Sequence, residues 1–295
     1  MTPNMVWPAL LVYMTPEVLL PYKLYLPVVY GGGEGPVPHR VRKSLNLVGG
    51  ISCTELEDLN TDWVYCWSPT VGFVCPDIPW LPMIRDRNQL DTQAHKLVDY
   101  DGIILGFNEP ENQDCAAGAC MTLDELITAW HDLETVLPGK TFTSPAFIYP
   151  YLVDYNIYDF VNGYYAKYGT WPRFEIIAVH YYAPFLADSS QEKNLGNNRF
   201  WFENMWNRIE ALPAVYQNCP VWITEAGVHC ENGLDPGPRL FAKKWLEWEL
   251  NYLEATGRCE YVNWFGPRQG IWTFTVPLYA NGHLTEVGQV WRNWQ

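Results

Sequence analysis

Positive charge is scarce in this sequence. Nineteen lysines and arginines stand against 33 acidic residues, for a net charge of −14 at pH 7. Such a chain repels phosphate backbones and anionic headgroups, so nucleic acid and acidic membranes are poor partners; anionic polysaccharides are disfavoured as well. Charge of either sign is thin, at 18% against the roughly 25% common in soluble proteins. No stretch reaches the about 18 uninterrupted apolar residues of a spanning helix, so membrane insertion is not expected. The eight cysteines contain no C-x-x-C pair, which leaves a zinc site without support, and neither metal nor cofactor is expected. No Gly-rich strand-to-helix loop offers a phosphate cradle. Internal repeats and low-complexity tracts are lacking. The apolar run Met5–Met14 has no lysine or arginine before it, is interrupted by Pro8, and is followed by no clear small-residue cleavage site. It makes a poor secretory signal.

What the chain has in quantity is aromatic surface: 15 Trp, 19 Tyr and 12 Phe. Core packing uses many of them, but indole rings also stack on the apolar faces of sugars while polar neighbours take the hydroxyls. A neutral glycan fits this balance of rings and charge. Eight cysteines are many for a cytosolic enzyme, which favours an extracellular location despite the missing signal. Cys115 and Cys120 are close enough to bridge one loop. Cys219 and Cys259 each precede a predicted strand and are placed to meet at a barrel floor. A set of buried thiols is the alternative.

At 295 residues the chain suits one large barrel better than two average domains. Residues 1–43, with six prolines from Pro8 to Pro38 and the joint Gly31-Gly32-Gly33, read as an N-terminal strap packed on a domain spanning 44–295. From Ser44 onward short apolar strands alternate with helical patterns. The strands are expected at Leu45–Val48, Trp63–Trp67, Trp80–Ile84, Gly102–Phe107, Thr141–Ala146, Phe174–His180, Val221–Thr224 and Tyr261–Phe265. Helices are expected near Gln89–Tyr100, after the capping box Thr122-Leu-Asp-Glu125, over Arg199–Tyr216, and up to Gly257. Eight strands alternating with helices predict an α/β fold, a single (β/α)₈ TIM barrel with an N-terminal extension.

Two glutamates occupy equivalent places. Glu109 follows strand four and Glu225 follows strand seven, the face where barrel active sites lie. A carboxyl that donates a proton to a leaving oxygen, opposite a carboxylate that attacks the anomeric carbon, is what glycosidic cleavage with retention needs. Mutual repulsion keeps the two in different protonation states. An isolated Glu after a strand is ordinarily a solvated loop residue; the pairing, and Asn108 and Pro110 around Glu109, argue for chemistry.

At this point the sequence resembles clan A glycoside hydrolases, and family 128 among them, whose characterised members are mainly β-1,3-glucanases. The resemblance rests on Trp80-Leu-Pro-Met83, Leu105-Gly-Phe-Asn-Glu-Pro110, Ser144-Pro-Ala146, Ala178-Val-His-Tyr-Tyr182, Val221-Trp-Ile-Thr-Glu225 and Tyr261-Val-Asn-Trp-Phe265, in the family's order. It implies Glu109 as acid/base and Glu225 as nucleophile, and a retaining endo-β-1,3-glucanase acting on neutral polysaccharide or oligosaccharide without metal. It further implies that His180 and Tyr182, which share strand parity, hold Glu225 and the sugar, and that Trp264 is the platform beneath the reacting sugar. Asn108 is placed to bind a sugar hydroxyl. Trp67 and Trp272 are weaker subsite candidates, and Arg85 is placed to bond Glu109, Glu225 or a hydroxyl. The sequence departs from the pattern at Glu111, where relatives carry Asp, and at Ala226-Gly227, where an aromatic often follows the glutamate. A monomer is expected. Other clan A activities on mannan, xylan or cellulose, a non-catalytic carbohydrate-binding barrel, and a barrel acting on phosphorylated metabolites are the competing readings. The last has only Gly266-Pro-Arg-Gln-Gly270 in its favour.

Overall fold

The computed structural model describes residues 40–47, 50–70, 75–149, 154–269 and 273–294. The proposed strap lies outside these apart from residues 40–43, and so does Trp272. The elements run β1 (Arg42–Asn46), α1 (Cys53–Asp58), β2 (Val64–Tyr65), α2 (Arg87–Gln93), β3 (Ile103–Ile104), α3 (Leu123–Val136), β4 (Thr141–Phe142) and β5 (Phe147–Tyr149). There follow α4 (Ile157–Tyr168), β6 (Ile177–Pro184), α5 (Gln191–Glu210), β7 (Val221–His229), α6 (Pro236–Thr256), β8 (Cys259–Trp264), the hairpin strands β9 (Tyr279–Ala280) and β10 (His283–Leu284), and α7 (Glu286–Asn293).

Six strands form one parallel sheet in the order β2-β1-β8-β7-β6-β5, while β3 pairs with β4. Single parallel bridges join the rest: Val64 to Trp80, Met83 to Leu105, Asn108 to Ala146, and Thr143 to Ile176. The segment Trp80–Met83 therefore holds the third position of a ring, β3 and its extension to Asn108 the fourth, and β4 with β5 the fifth. Every position is joined to both neighbours, and the α/β fold is the expected (β/α)₈ barrel. The third strand is reduced to bridges because Pro79 and Pro82 remove ladder donors. Among the described residues no helix is long and apolar enough to cross a membrane.

Local chemistry sets the helix ends. The expected box at Thr122 and Glu125 opens α3, and similar boxes at Ser52 with Glu55 and Asn156 with Asp159 open α1 and α4, each satisfying first-turn N–H groups that the helix itself cannot. Gly257, at φ 66°, closes α6 in the left-handed region that glycine enters freely. The core between strands and helices is aromatic: the fully buried Trp130 of α3 meets Phe107, Phe142 and Phe160 edge-on at 5.7–6.0 Å.

Inside the ring, side chains stack in layers by strand parity. Trp63, Trp222 and Tyr261 pack together low in the barrel, with centroids 4.8–5.5 Å apart. Tyr182, Phe265 and Ile148 form a separate apolar group with Trp67 at its edge. Between the two lie polar groups. The β6–β7 register slips between Val179 and His180, so that Thr224 is the extra residue and His180 faces Glu225. That bulge turns Glu225 inward alongside Trp222, which simple alternation would forbid.

Disulfides join Cys53 to Cys75 and Cys115 to Cys120. The second is the expected loop bridge. Cys219 and Cys259 do not bridge: their sulfurs point to the Phe174 carbonyl at 4.0 Å and the Tyr261 carbonyl at 3.4 Å.

Candidate active site

The barrel brings Glu109, His180 and Glu225 together, all three buried. One ligand atom from each lies within 4.8 Å of the others. His180 Nδ1 is 2.9 Å from Glu109 Oε1 and 3.5 Å from Glu225 Oε2. Glu225 accepts three further hydrogen bonds. Tyr65 Oη donates to Oε1 at 2.9 Å, Trp67 Nε1 donates to the same oxygen at 3.0 Å, and the Tyr182 hydroxyl donates to Oε2. Glu109 accepts from Asn112 Nδ2 at 2.8 Å through Oε2.

Burial pushes the Glu225 carboxyl up from the ordinary glutamate value; the His180 charge pulls down, the Glu109 charge pushes up, and the Tyr182 and Tyr65 hydrogen bonds pull down. The net direction is upward. Burial pulls the His180 imidazole down, but the Glu225 charge and the bond and charge of Glu109 overcome it and leave it raised. Tyr65 and Tyr182 are held well above the usual phenol range by burial and then by the Glu225 charge, so both are donors.

Glu109 has a positive φ of 42°. A left-handed, non-glycine residue costs about 1–3 kcal/mol and persists only where its surroundings impose it. Here its N–H donates to the Ala146 carbonyl at 2.9 Å, and its own carbonyl receives Asn112 N at 3.0 Å. The same Glu-His-Glu set is what a divalent cation would seek. However, both Glu225 oxygens already face the positive ends of N–H and O–H dipoles, which a cation would have to displace.

The remaining expected site residues divide. Asn108 is buried, and its Oδ1 accepts from Trp67 Nε1 at 3.1 Å, so Trp67 stands within the site. Arg85 contacts neither glutamate. It donates to the carbonyls of Ala116 at 2.8 Å, Gly118 at 3.3 Å and Cys115 at 3.4 Å, because the 112–120 loop lies across its path. Trp264 is fully buried on the outer face of β8, where its Nε1 donates to the Val276 carbonyl at 2.9 Å. Its neighbour Phe265 faces the site, 5.4 Å from Tyr182 and 6.0 Å from Trp67. Phe265 shares parity with Tyr261 and Asn263, both on the inner face, and that alternation was readable. Tyr65, two residues before Trp67, carried the same signal. Asn112 carried none, since only the fold of its loop brings it to Glu109.

The chain is similar to solved barrels of glycoside hydrolase family 128. A subgroup I endo-β-1,3-glucanase from Amycolatopsis mediterranei with bound laminaripentaose superposes with a TM-score of 0.65 at 20% identity, covering 86% of this chain and all of that one. A subgroup II endo-β-1,3-glucanase from Sorangium cellulosum gives 0.64 at 21% identity, covering 86% and 98%. A subgroup III curdlan-specific exo-β-1,3-glucanase from Blastomyces gilchristii gives 0.59 at 16%, covering 87% and 99%. At these identities the likeness is one of fold. No curated protein matches the sequence. The model of the glycosyl hydrolase catalytic core matches residues 48–291, which begin just after β1, span the other seven strand positions and contain both buried glutamates. The chain belongs to the glycosyl hydrolase catalytic core family.

Proposed function

We propose that the protein is a retaining endo-β-1,3-glucanase with Glu109 as acid/base and Glu225 as nucleophile. The observation that carries the mechanism is the approach of the two buried glutamates, whose oxygens come within 4.8 Å. Retaining enzymes hold their carboxyls about 5–5.5 Å apart, whereas inverting ones leave about 6.5–9.5 Å for a water. The bond pattern supports this division of roles. Glu225 accepts from Tyr65, Trp67 and Tyr182, donors that favour an anion.

Glu225 attacks the anomeric carbon as the glycosidic C–O bond breaks, and the Glu109 proton passes to the departing oxygen. Glu109, now a carboxylate, takes a proton from water; the hydroxide attacks the anomeric carbon and Glu225 leaves as carboxylate. The endo-β-1,3-glucanase activity of the similarly folded Amycolatopsis and Sorangium enzymes supports a β-1,3-glucan. The apolar group of Phe265, Tyr182 and Trp67 supports a sugar seated against it, with Asn108 in reach of a hydroxyl.

Purified protein on laminarin, mannan, xylan and cellulose tests this. Short β-1,3-oligosaccharides from laminarin are the expected products, and glucose as sole early product would replace endo with exo action. Activity confined to another glycan would overturn the β-1,3 assignment while keeping the two-carboxyl mechanism. Glu109→Ala and Glu225→Ala should each lose most turnover. Azide should rescue the first as a β-glycosyl azide and the second as the α-anomer; the opposite pattern would exchange the roles.

A further inference from the structure

The segment after Glu109 folds back on it. Asn112 Nδ2 donates to Glu109 Oε2 at 2.8 Å, while Asn112 Oδ1 accepts from Asp114 N at 3.0 Å. One amide thus faces the carboxyl with its donor and the loop with its acceptor. The loop itself is fastened on several sides. The Cys115–Cys120 disulfide closes it, and Arg85 grips three of its carbonyls. Ala119 N donates to the Asn108 carbonyl at 2.7 Å, and Asn108 Nδ2 donates back to the Ala117 carbonyl at 3.1 Å. Packing leaves no slack at Gly118, where an added Cβ would lie 2.5 Å from the Glu109 carbonyl and 2.6 Å from Asn112 Cβ.

We propose that Asn112 is a positioning residue for the proton-donating Glu109, presented to it by this fastened loop. The inference rests on the reading of Glu109 as acid/base. With His180 on Oε1 at 2.9 Å and Asn112 on Oε2, both oxygens are held and the carboxyl plane cannot turn. The Asn112 bond strengthens as Glu109 gains charge, which happens when its proton leaves for the glycosidic oxygen. It therefore favours the transition state over the ground state.

The acceptor and donor ends of the amide separate experimentally. Asn112→Asp keeps the oxygen that accepts Asp114 N–H and removes the donor to Glu109, whereas Asn112→Ala removes both. Each is compared with wild type by kcat/KM, which reports the steps through glycosylation. The substrates are a laminari-oligosaccharide and a dinitrophenyl β-glycoside of the same sugar, whose leaving group needs no proton. If wild type cleaves a different β-glycan, that sugar replaces it. Both variants should lose about 10–100-fold on the oligosaccharide, the loss expected for one hydrogen bond to a charged group, and less than about threefold on the dinitrophenyl glycoside, where proton donation is not required. Wild-type rates for Asn112→Asp would reduce Asn112 to a turn former and overturn the proposal. Equal losses on both substrates would overturn it too, by pointing to a damaged sugar site. If Glu109→Ala keeps full activity, or wild type cleaves no glycoside, the reading beneath it falls first and the proposal with it.

Discussion

At the scale of single residues, Glu225 depends on hydroxyls that other strands deliver. Tyr65→Phe removes one donor and should lower kcat/KM by about 10–100-fold, since hydrogen bonds to charged groups are worth about 1.5–3 kcal/mol. The sign of its pH effect is fixed. The Tyr65 bond pulls the raised Glu225 value down, so its loss raises that value further, and the acidic limb of the pH–rate profile should move to higher pH. A limb that stays put would mean that Glu225 is not the group ionising there. Phe265→Ala should raise KM with a smaller change in kcat, whereas Trp264→Phe should leave KM unchanged and cost stability. Steady-state kinetics beside urea unfolding separates the two. Both glutamates were legible because each closely follows an apolar run, Ile103–Phe107 and Val221–Ile223. Trp264 was expected to face the site because a tryptophan was preferred over the parity that pointed to Phe265, the side chain that lies beside Tyr182 and Trp67. Arg85 and Asn112 could not be read, because their partners lie in an irregular loop with no periodicity.

At the scale of elements, buried polar side chains do work that hydrophobic patterns do not reveal. Lys43 is buried, and its Nζ donates to the carbonyls of Trp291 and Trp294 at 2.8 Å each. These are unsatisfied acceptors at the end of α7, and a cation suits them. Lys43→Met should destabilise the protein by about 1–3 kcal/mol without changing kcat, as urea midpoints and initial rates would show. The start of α5 was missed for a related reason. Asn194, Gly196, Asn197 and Asn198 are poor helix formers, so the helix was expected only from Arg199. Asn194 and Asn198 are instead buried, bonding the Leu186 amide and carbonyl and the Pro184 carbonyl, and tertiary contacts override propensity. The β9–β10 hairpin turns on Asn281 and Gly282, both at positive φ, an Asn-Gly signal that was present but not used.

At the scale of the whole molecule, acidic groups taken out of water make stability depend on pH. Glu249 of α6 is fully buried, and burial pushes its carboxyl up to about 8. Below the unfolded value of 4.5 both states hold the proton. Between there and about 8 the folded state keeps it while the unfolded chain releases it, so stability falls with rising pH, by roughly 1.4 kcal/mol per unit. Above about 8 the loss is complete. Glu249→Gln should flatten this slope, and urea unfolding at pH 5 and pH 8.5 measures it. A slope unchanged in the variant would place the effect in Glu111 and Glu225, whose values burial also raises.

The ring also has a seam. Arg42 of β1 pairs with Tyr261 of β8, and Leu45 pairs with Trp264. Among the described residues, the first position of the ring is thus held by the eighth. At about 5–20 residues per second, a ribosome delivers β8 roughly 10–40 s after β1. Throughout that interval β1 offers an unpaired edge, so the nascent chain is exposed to wrong pairings in just the segment that will later shut the barrel. Slow release and chaperone dependence should therefore limit the yield of this enzyme more than any weakness in the finished fold.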